Sequence, residues 1–364
     1  MTKMQKLAEL GQAIWFDYIS RSLIESGKLK KLVDDGLRGV TSNPSIFEKA
    51  IAGSSDYDVD LGKLVKEGKS VDEVYEALAF RDITNAANVL QPVHDATNGA
   101  DGYVSLEVNP ALANNTEETI TEARRLFNSL SKPNVMIKVP ATRAGIPAIE
   151  TLIGEGINVN VTLIFSLNHY EQAARAYIAG LERLTARGGD VSRVASVASF
   201  FVSRVDTAVD KELNTKGRTD LLGKAAIANS KLAYALFKKI FSGEVWSNLQ
   251  SKGARVQRVL WASTSTKNPD YKDTLYVDEL IGSDTVNTLP PNTLDAFIDH
   301  GTIAETLEQD LEGAKAHMDI LKKLGIDMNI ITENLQVDGV AAFAKSFDAL
   351  MASIGEKREK LLAA

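Results

Sequence analysis

Cysteine is missing from all 364 residues. That excludes disulfides, thiolate nucleophiles, Cys-ligated zinc and iron–sulfur clusters, and it fits a reducing cytoplasm. Histidine is scarce. The four histidines, His94, His169, His300 and His317, do not cluster, and they read as surface or helix-packing residues. There is no G-x-G-x-x-G, no Walker A loop, no H-E-x-x-H, no EF-hand pattern and no G-x-S-x-G elbow, so no nucleotide, flavin or metal cofactor is implied. No apolar run approaches the ~18 residues of a membrane span, and the charged first ten residues lack the apolar centre of a signal peptide. Positive charge is outweighed: 41 Lys and Arg face 48 Asp and Glu, a net charge of −7. This balance argues against bulk nucleic-acid or anionic-membrane binding, but leaves room for a local basic patch that takes a small phosphorylated substrate.

What remains is an ordinary globular composition, 44% hydrophobic and 24% charged, in a chain long enough to bury a large core unaided. Short β-rich runs at 14–19, 37–41, 103–108, 135–139, 157–165, 194–202, 256–262 and 285–289 alternate with longer stretches of helical spacing, notably 71–90, 120–130, 170–184 and 221–241. Such alternation predicts an α/β fold with a parallel sheet. Eight strands are the number that closes a (β/α)8 barrel, and a doubly wound open sheet is the rival. Residues 302–364 contain no convincing strand. They are expected to form a helical extension packed on the outside of a single barrel domain, broken near Gly325 and around Asn334.

Strands covered by helices on both faces should be apolar throughout, so polar residues on them carry information. In the fifth strand Asn158, Asn160 and Thr162 share one face; this is either the wet face of an edge strand or a polar row in a barrel lumen. The fourth strand carries Lys138 in the run Val135-Met136-Ile137-Lys138-Val139. Such a lysine is either half of a structural ion pair, or an amine kept uncharged by desolvation and able to attack a carbonyl. Asp17 and Glu107 each place one carboxylate at the end of an apolar strand. Asp17, Asn43, Glu107, Lys138, Asn160 and Thr162 stand at or near the ends of five successive strands, which a barrel gathers into one ring. Arg204 either pairs with Asp206 or Asp210, or joins the hydroxyl-rich loop Ser263-Thr264-Ser265-Thr266-Lys267 in holding a phosphate.

Four segments, in order, resemble the transaldolase family. Thr41-Ser42-Asn43-Pro44-Ser45 resembles its T-[ST]-N-P-S signature, and Ile137-Lys138-Val139-Pro140-Ala141-Thr142 its Schiff-base segment. Gly156 to Leu163 is similar to its fifth-strand motif, and Ser199 to Arg204 to its S-x-F-V-x-R phosphate segment. The resemblance spans roughly residues 10–350. It implies a (β/α)8 barrel of the class I aldolase superfamily, in a longer bacterial branch, that moves a dihydroxyacetone unit between sugar phosphates of the non-oxidative pentose phosphate pathway without a cofactor. The donors would be fructose 6-phosphate or sedoheptulose 7-phosphate, and the acceptors glyceraldehyde 3-phosphate or erythrose 4-phosphate. By the same resemblance Lys138 would form the Schiff base, Asp17 would be the proton acceptor, and Glu107 with Thr162 would shuttle protons through a water. Asn43 and Asn160 would orient the bound unit. Ser199, Arg204 and Lys267 would hold the phosphate, with Phe201 packed beside the sugar. The chain departs from the family at Phe200, where many members have Pro, at Ser203, where many have Gly, and at Lys267, where many have Arg. Two other readings stay open: a Schiff-base aldolase that releases the three-carbon unit, and a sugar-phosphate-binding barrel without catalysis. A monomer and a homodimer are both compatible with the sequence.

Overall fold

A computed structural model of the chain describes residues 1–362, so the last two residues of the predicted 302–364 extension lie outside the described residues. Eight parallel strands close into a barrel in chain order: β1 (Gln12–Phe16), β2 (Gly39–Val40), β3 (Tyr103–Glu107), β4 (Val135–Pro140), β5 (Val159–Ile164), β6 (Ser196–Phe201), β7 (Arg258–Ala262) and β8 (Thr285–Leu289). The open-sheet alternative is thereby excluded. Fully buried stretches such as Val135–Pro140 and Ser196–Phe201 are what a sheet covered on both faces requires. β5 pairs with β4 on one side and β6 on the other, so it is no edge strand.

The strands were legible to within a few residues, but β1 lies further toward the N-terminus than its apolar run suggests. Its first residue, Gln12, is polar yet buried, because its amide donates to Leu280 O at 2.7 Å and to Thr285 Oγ1 at 3.0 Å. The helix expected over 221–241 starts later, at Ala225, because Gly223 takes φ +69° and ends the preceding turn.

The bottom of the lumen is plugged by two aromatic rings. Trp15 and Tyr103 both pair in register with Gly39, from either side, and their rings are 6.3 Å apart across it. A Cβ at residue 39 would stand 2.5 Å from the Trp15 ring, so only glycine leaves this space. The cavity described below lies at the opposite end, among the strand C-termini.

Two strand-to-loop transitions carry unusual backbone. Register slips between Val161 and Ile164, where Leu163 adopts φ +57°, forming a bulge at the end of β5. Ser263, just after β7, has φ +56°. Both lie beside the cavity described below, where such conformations tend to collect.

The C-terminal region differs from expectation. The break near Gly325 is present, at φ +73°. The break around Asn334 is not: one helix of 35 residues runs from Met328 to Leu362. A single exposed asparagine costs a helix only about 0.5 kcal/mol, and this helix is anchored on either side of it. Glu333 accepts from or pairs with His169 at 2.8 Å, and Gln336 donates to two carbonyls of the barrel. Nor does this helix merely coat the outside. It packs on the helix that follows β2 and touches elements following β3 and β6, so it crosses the mouth of the barrel. We call it the closing helix.

Candidate active site

At the C-terminal end of the barrel lies a cavity of about 200 Å³, lined by strand ends, the loops after them and one residue of the closing helix. Eight of the ten residues singled out from sequence line it: Asp17, Asn43, Lys138, Thr162, Ser199, Phe201, Arg204 and Lys267. Glu107 and Asn160 stand directly behind that lining.

Lys138 projects from β4 and is 5% exposed. Its Nζ donates to Ser42 O at 3.0 Å and stands 3.5 Å from Glu107 Oε2. β3 and β4 place the two in register. The contact with Glu107 is an ion-pair distance rather than a well-made hydrogen bond, and Glu107 Oε2 has no hydrogen-bond partner in the structure. The same is true of Thr162 Oγ1 on the adjoining strand. Buried polar atoms left unpaired cost about 1–3 kcal/mol each. Both Lys138 and Thr162 line the cavity, so these groups have hydrogen-bonding capacity to offer a ligand there. Burial pushes the Glu107 carboxyl above its ordinary range, against the opposing pull of Lys138.

Asp17 follows β1 and faces the same space. Its Oδ1 accepts from Thr41 Oγ1 at 2.7 Å, and Thr41 lies 2.7 Å from the hydroxyl of Thr288 on β8. Burial raises the Asp17 carboxyl above its usual value; Lys138 and the Thr41 hydroxyl act in the opposite sense. Removing that hydroxyl in Thr41→Val takes away a bond that favours the carboxylate, so the Asp17 pKa should rise further. If the ionised form of Asp17 is the active one, activity is lost as pH falls through this pKa. A kcat–pH profile of Thr41→Val should therefore show its acid limb displaced to higher pH; an unmoved limb would separate Asp17 from the titration.

Asn43 is partly occupied locally. It caps the helix Pro44–Ala52, with Oδ1 accepting from Ile46 N at 3.0 Å, which leaves its amide nitrogen for a ligand. Asn160 is fully buried and does not reach the cavity surface. Its Nδ2 donates to Ser105 Oγ at 3.0 Å and its Oδ1 accepts from Ser199 Oγ at 2.7 Å. It therefore orients Ser199, and any contact of its own with a ligand would need these bonds rearranged.

At the far side Arg204 and Lys267 converge. The alternative partners of Arg204 are taken: Asp206 accepts from Tyr276 and Ala226 N, and Asp210 from Tyr271 and Gly223 N. Arg204 lies over the Phe201 ring, 5.3 Å from its centroid, and Phe165 packs against Phe201 at 5.1 Å. Lys267 donates to Ser265 Oγ at 2.8 Å. Burial lowers both cations from their ordinary values, and for Lys267 the nearby Arg204 and Lys49 lower it further. Two crowded cations with no carboxylate acting on them make the rim positive, a setting that suits an anion.

Ser263 and Ser265, from the hydroxyl-rich loop singled out in the sequence, also line the cavity, whereas sequence reasoning missed Thr41, Ala262, Thr288, Pro290 and Phe343. Thr41 lay within the Thr41-Ser42-Asn43-Pro44-Ser45 motif, and Thr288 one residue before the end of β8, so both had a positional signal. Phe343 had none, because it arrives from the closing helix. Among the described residues no group of three or more His, Asp or Glu is placed to hold a metal ion, and no helix is long and apolar enough to cross a membrane.

An amine beside a carboxylate, a second carboxylate across the cavity and a cationic rim together suit carbon–carbon bond chemistry on a phosphorylated carbonyl compound. The comparisons with known proteins agree. A family model described as Transaldolase/Fructose-6-phosphate aldolase matches residues 14–354. The Transaldolase of Trichodesmium erythraeum (strain IMS101) is 49% identical over 370 residues, covering 98% of this chain and 97% of the relative. Transaldolase 2 of Nostoc sp. (strain PCC 7120 / SAG 25.82 / UTEX 2576) is 48% identical, with 98% and 97% covered. The Transaldolase of Thermobifida fusca (strain YX) is 48% identical, with 97% and 98% covered. The chain belongs to the transaldolase/fructose-6-phosphate aldolase family.

Proposed function

We propose that this enzyme is a transaldolase: it moves a three-carbon dihydroxyacetone unit from a ketose phosphate to an aldose phosphate through a Schiff base on Lys138. The observation that carries this reading is the buried Lys138 amine, 3.5 Å from Glu107 and open to a cavity rimmed by Arg204 and Lys267.

Lys138 attacks the C2 carbonyl of fructose 6-phosphate or sedoheptulose 7-phosphate. Glu107 and Thr162, both unpaired beside the amine, pass protons through a water while the carbinolamine loses its hydroxyl. The iminium then draws electrons from the C3–C4 bond, and Asp17 takes the C4 hydroxyl proton as that bond breaks. The aldose phosphate departs and the enamine stays on Lys138. Asn43 holds its hydroxyls with the free amide nitrogen, while Asn160 keeps Ser199 in place. Glyceraldehyde 3-phosphate or erythrose 4-phosphate then adds, and Asp17 returns the proton. Arg204, Lys267 and Ser199 hold the phosphate, and that remote binding aligns the reacting end. The chemistry calls for sugar phosphates as partners and for no added cofactor, and nothing in it needs a membrane or nucleic acid.

The test is borohydride reduction with fructose 6-phosphate, followed by mass spectrometry of the peptides. A three-carbon adduct on Lys138 supports the reading. No adduct, or one elsewhere, refutes it and favours a barrel that only binds sugar phosphates. Arg204→Ala should raise KM for phosphorylated donors by about 10²-fold, the loss of a charge-assisted bond or two, and change little for unphosphorylated ketoses. An equal loss on both would remove Arg204 from the phosphate site.

A further inference from the structure

Between the two half-reactions the enamine on Lys138 must wait, and its fate depends on what reaches its nucleophilic carbon. We propose that Phe343 is a specificity-determining residue: held over Lys138 by the closing helix, it keeps bulk water from the enamine carbon, beyond the one water that Glu107 and Thr162 hold, and so favours transfer over release. This inference rests on the Schiff-base reading above.

Phe343 differs in origin from every other cavity residue. The rest come from strand ends or from the segments directly following them, whereas Phe343 descends from the closing helix. It is 6% exposed, and its ring centroid lies 5.8 Å from Lys138 Nζ. Asp17, Thr41, Asn43 and Thr162 give the cavity a largely polar lining, and this ring sets an apolar surface against Lys138.

The ring is held from both directions along its helix. Gln336, two turns earlier on the same face, donates from Nε2 to Ala141 O and Leu163 O, each at 3.0 Å. Those carbonyls stand where β4 and β5 leave the barrel, and Leu163 is the residue with φ +57°. Gly339 lies between Gln336 and Phe343 and allows close approach: a Cβ there would be 2.9 Å from Leu163 Cδ2 and 3.7 Å from Arg204 Nη1. Ser346, one turn beyond Phe343, accepts from Ser45 Oγ at 2.7 Å. The attachment therefore ties the ring's position to the strands that carry Lys138 and Thr162.

Release replaces one bond-forming step by another. The enamine carbon takes a proton from water instead of bonding to the acceptor's carbonyl carbon, giving an iminium, and Asp17 hands the proton it gained at cleavage to the hydroxide left behind. Water then adds at C2, the C–N bond breaks, and free dihydroxyacetone leaves with the amine restored. The water consumed equals the one lost when the Schiff base formed, and no oxidant or reductant takes part. Excluding water from a reactive intermediate is a recognised role of a closed site.

The experiment measures free dihydroxyacetone and transfer product from fructose 6-phosphate, with and without erythrose 4-phosphate, alongside borohydride trapping. Phe343→Ala should raise the release-to-transfer ratio by about tenfold or more while the adduct still forms on Lys138. Phe343→Leu, which stays apolar, should remain near wild type. Gln336→Glu keeps the side-chain length but loses both donated hydrogen bonds, and should shift the ratio in the same direction as Phe343→Ala. An unchanged ratio in Phe343→Ala with the adduct intact overturns the proposal. If that variant does not fold, an unchanged ratio in Gln336→Glu overturns it. A wild-type enzyme that traps no adduct instead refutes the Schiff-base reading, a different failure.

Discussion

Replacing Lys138 with alanine is expected to lower turnover by about 10⁴-fold or more, because covalent catalysis has no substitute amine in the cavity. The other lysine there, Lys267, stands exposed at the rim and is hydrogen-bonded to Ser265. Borohydride with fructose 6-phosphate should then add no mass to the protein. The fold should persist, since Glu107, relieved of its cation, can take up a proton: burial already pushes its carboxyl upward, and only Lys138 opposes this strongly. Circular dichroism of the variant should match wild type. Steady-state assay of the folded variant is the deciding measurement, and turnover within about tenfold of wild type would remove Lys138 from the chemistry.

Asp17→Ala should cost about 10²–10⁴-fold in kcat, the usual range for a lost general base. The loss should fall on the carbon–carbon step. Lys138 and its immediate partners, Ser42 O and Glu107, are untouched by this change, so the trapped adduct should still appear at a rate close to wild type. It should, however, carry the whole donor sugar rather than the three-carbon fragment. Mass spectrometry distinguishes the two. Equal loss of adduct formation and cleavage would mean that Asp17 supports the Lys138 amine instead of the C4 hydroxyl. That alternative has a physical basis to test, since the Lys138 charge acts on Asp17 and draws its pKa down.

The barrel was legible because its strands are apolar runs separated by helical periodicity, and because polar intruders such as Lys138, Glu107 and Asp17 stand out on buried strands. Those intruders proved to be neighbours for the reason the pattern suggested: each comes at the end of a strand, and strand ends meet. Features without periodic signature were not legible. The bulge at Leu163 interrupts a segment whose alternation through Asn158, Asn160 and Thr162 looks regular, and no glycine marks the left-handed residue. Parity puts Asn160 on the same face as Thr162, yet parity does not reveal depth: Ser105 and Ser199 enclose its amide. Phe343 is one aromatic among the apolar residues of a long amphipathic segment, and only its distance from Lys138 sets it apart. Asn334 looked like a stop, but tertiary anchoring at Glu333 and Gln336 outweighs a small local propensity.

The chain of hydroxyls from Thr288 through Thr41 to Asp17 joins β8 to β1 by way of β2. Its two outer strands pair Gln12 with Thr285, across 273 residues of the chain. Contacts of such long sequence separation form late and slowly. A nascent or partly refolded chain can hold Lys138 and Glu107 on the adjacent β3 and β4 long before Asp17 has its partners. With Asp17 and Lys138 in their proposed roles, catalytic competence would be complete only once the first and last strands meet.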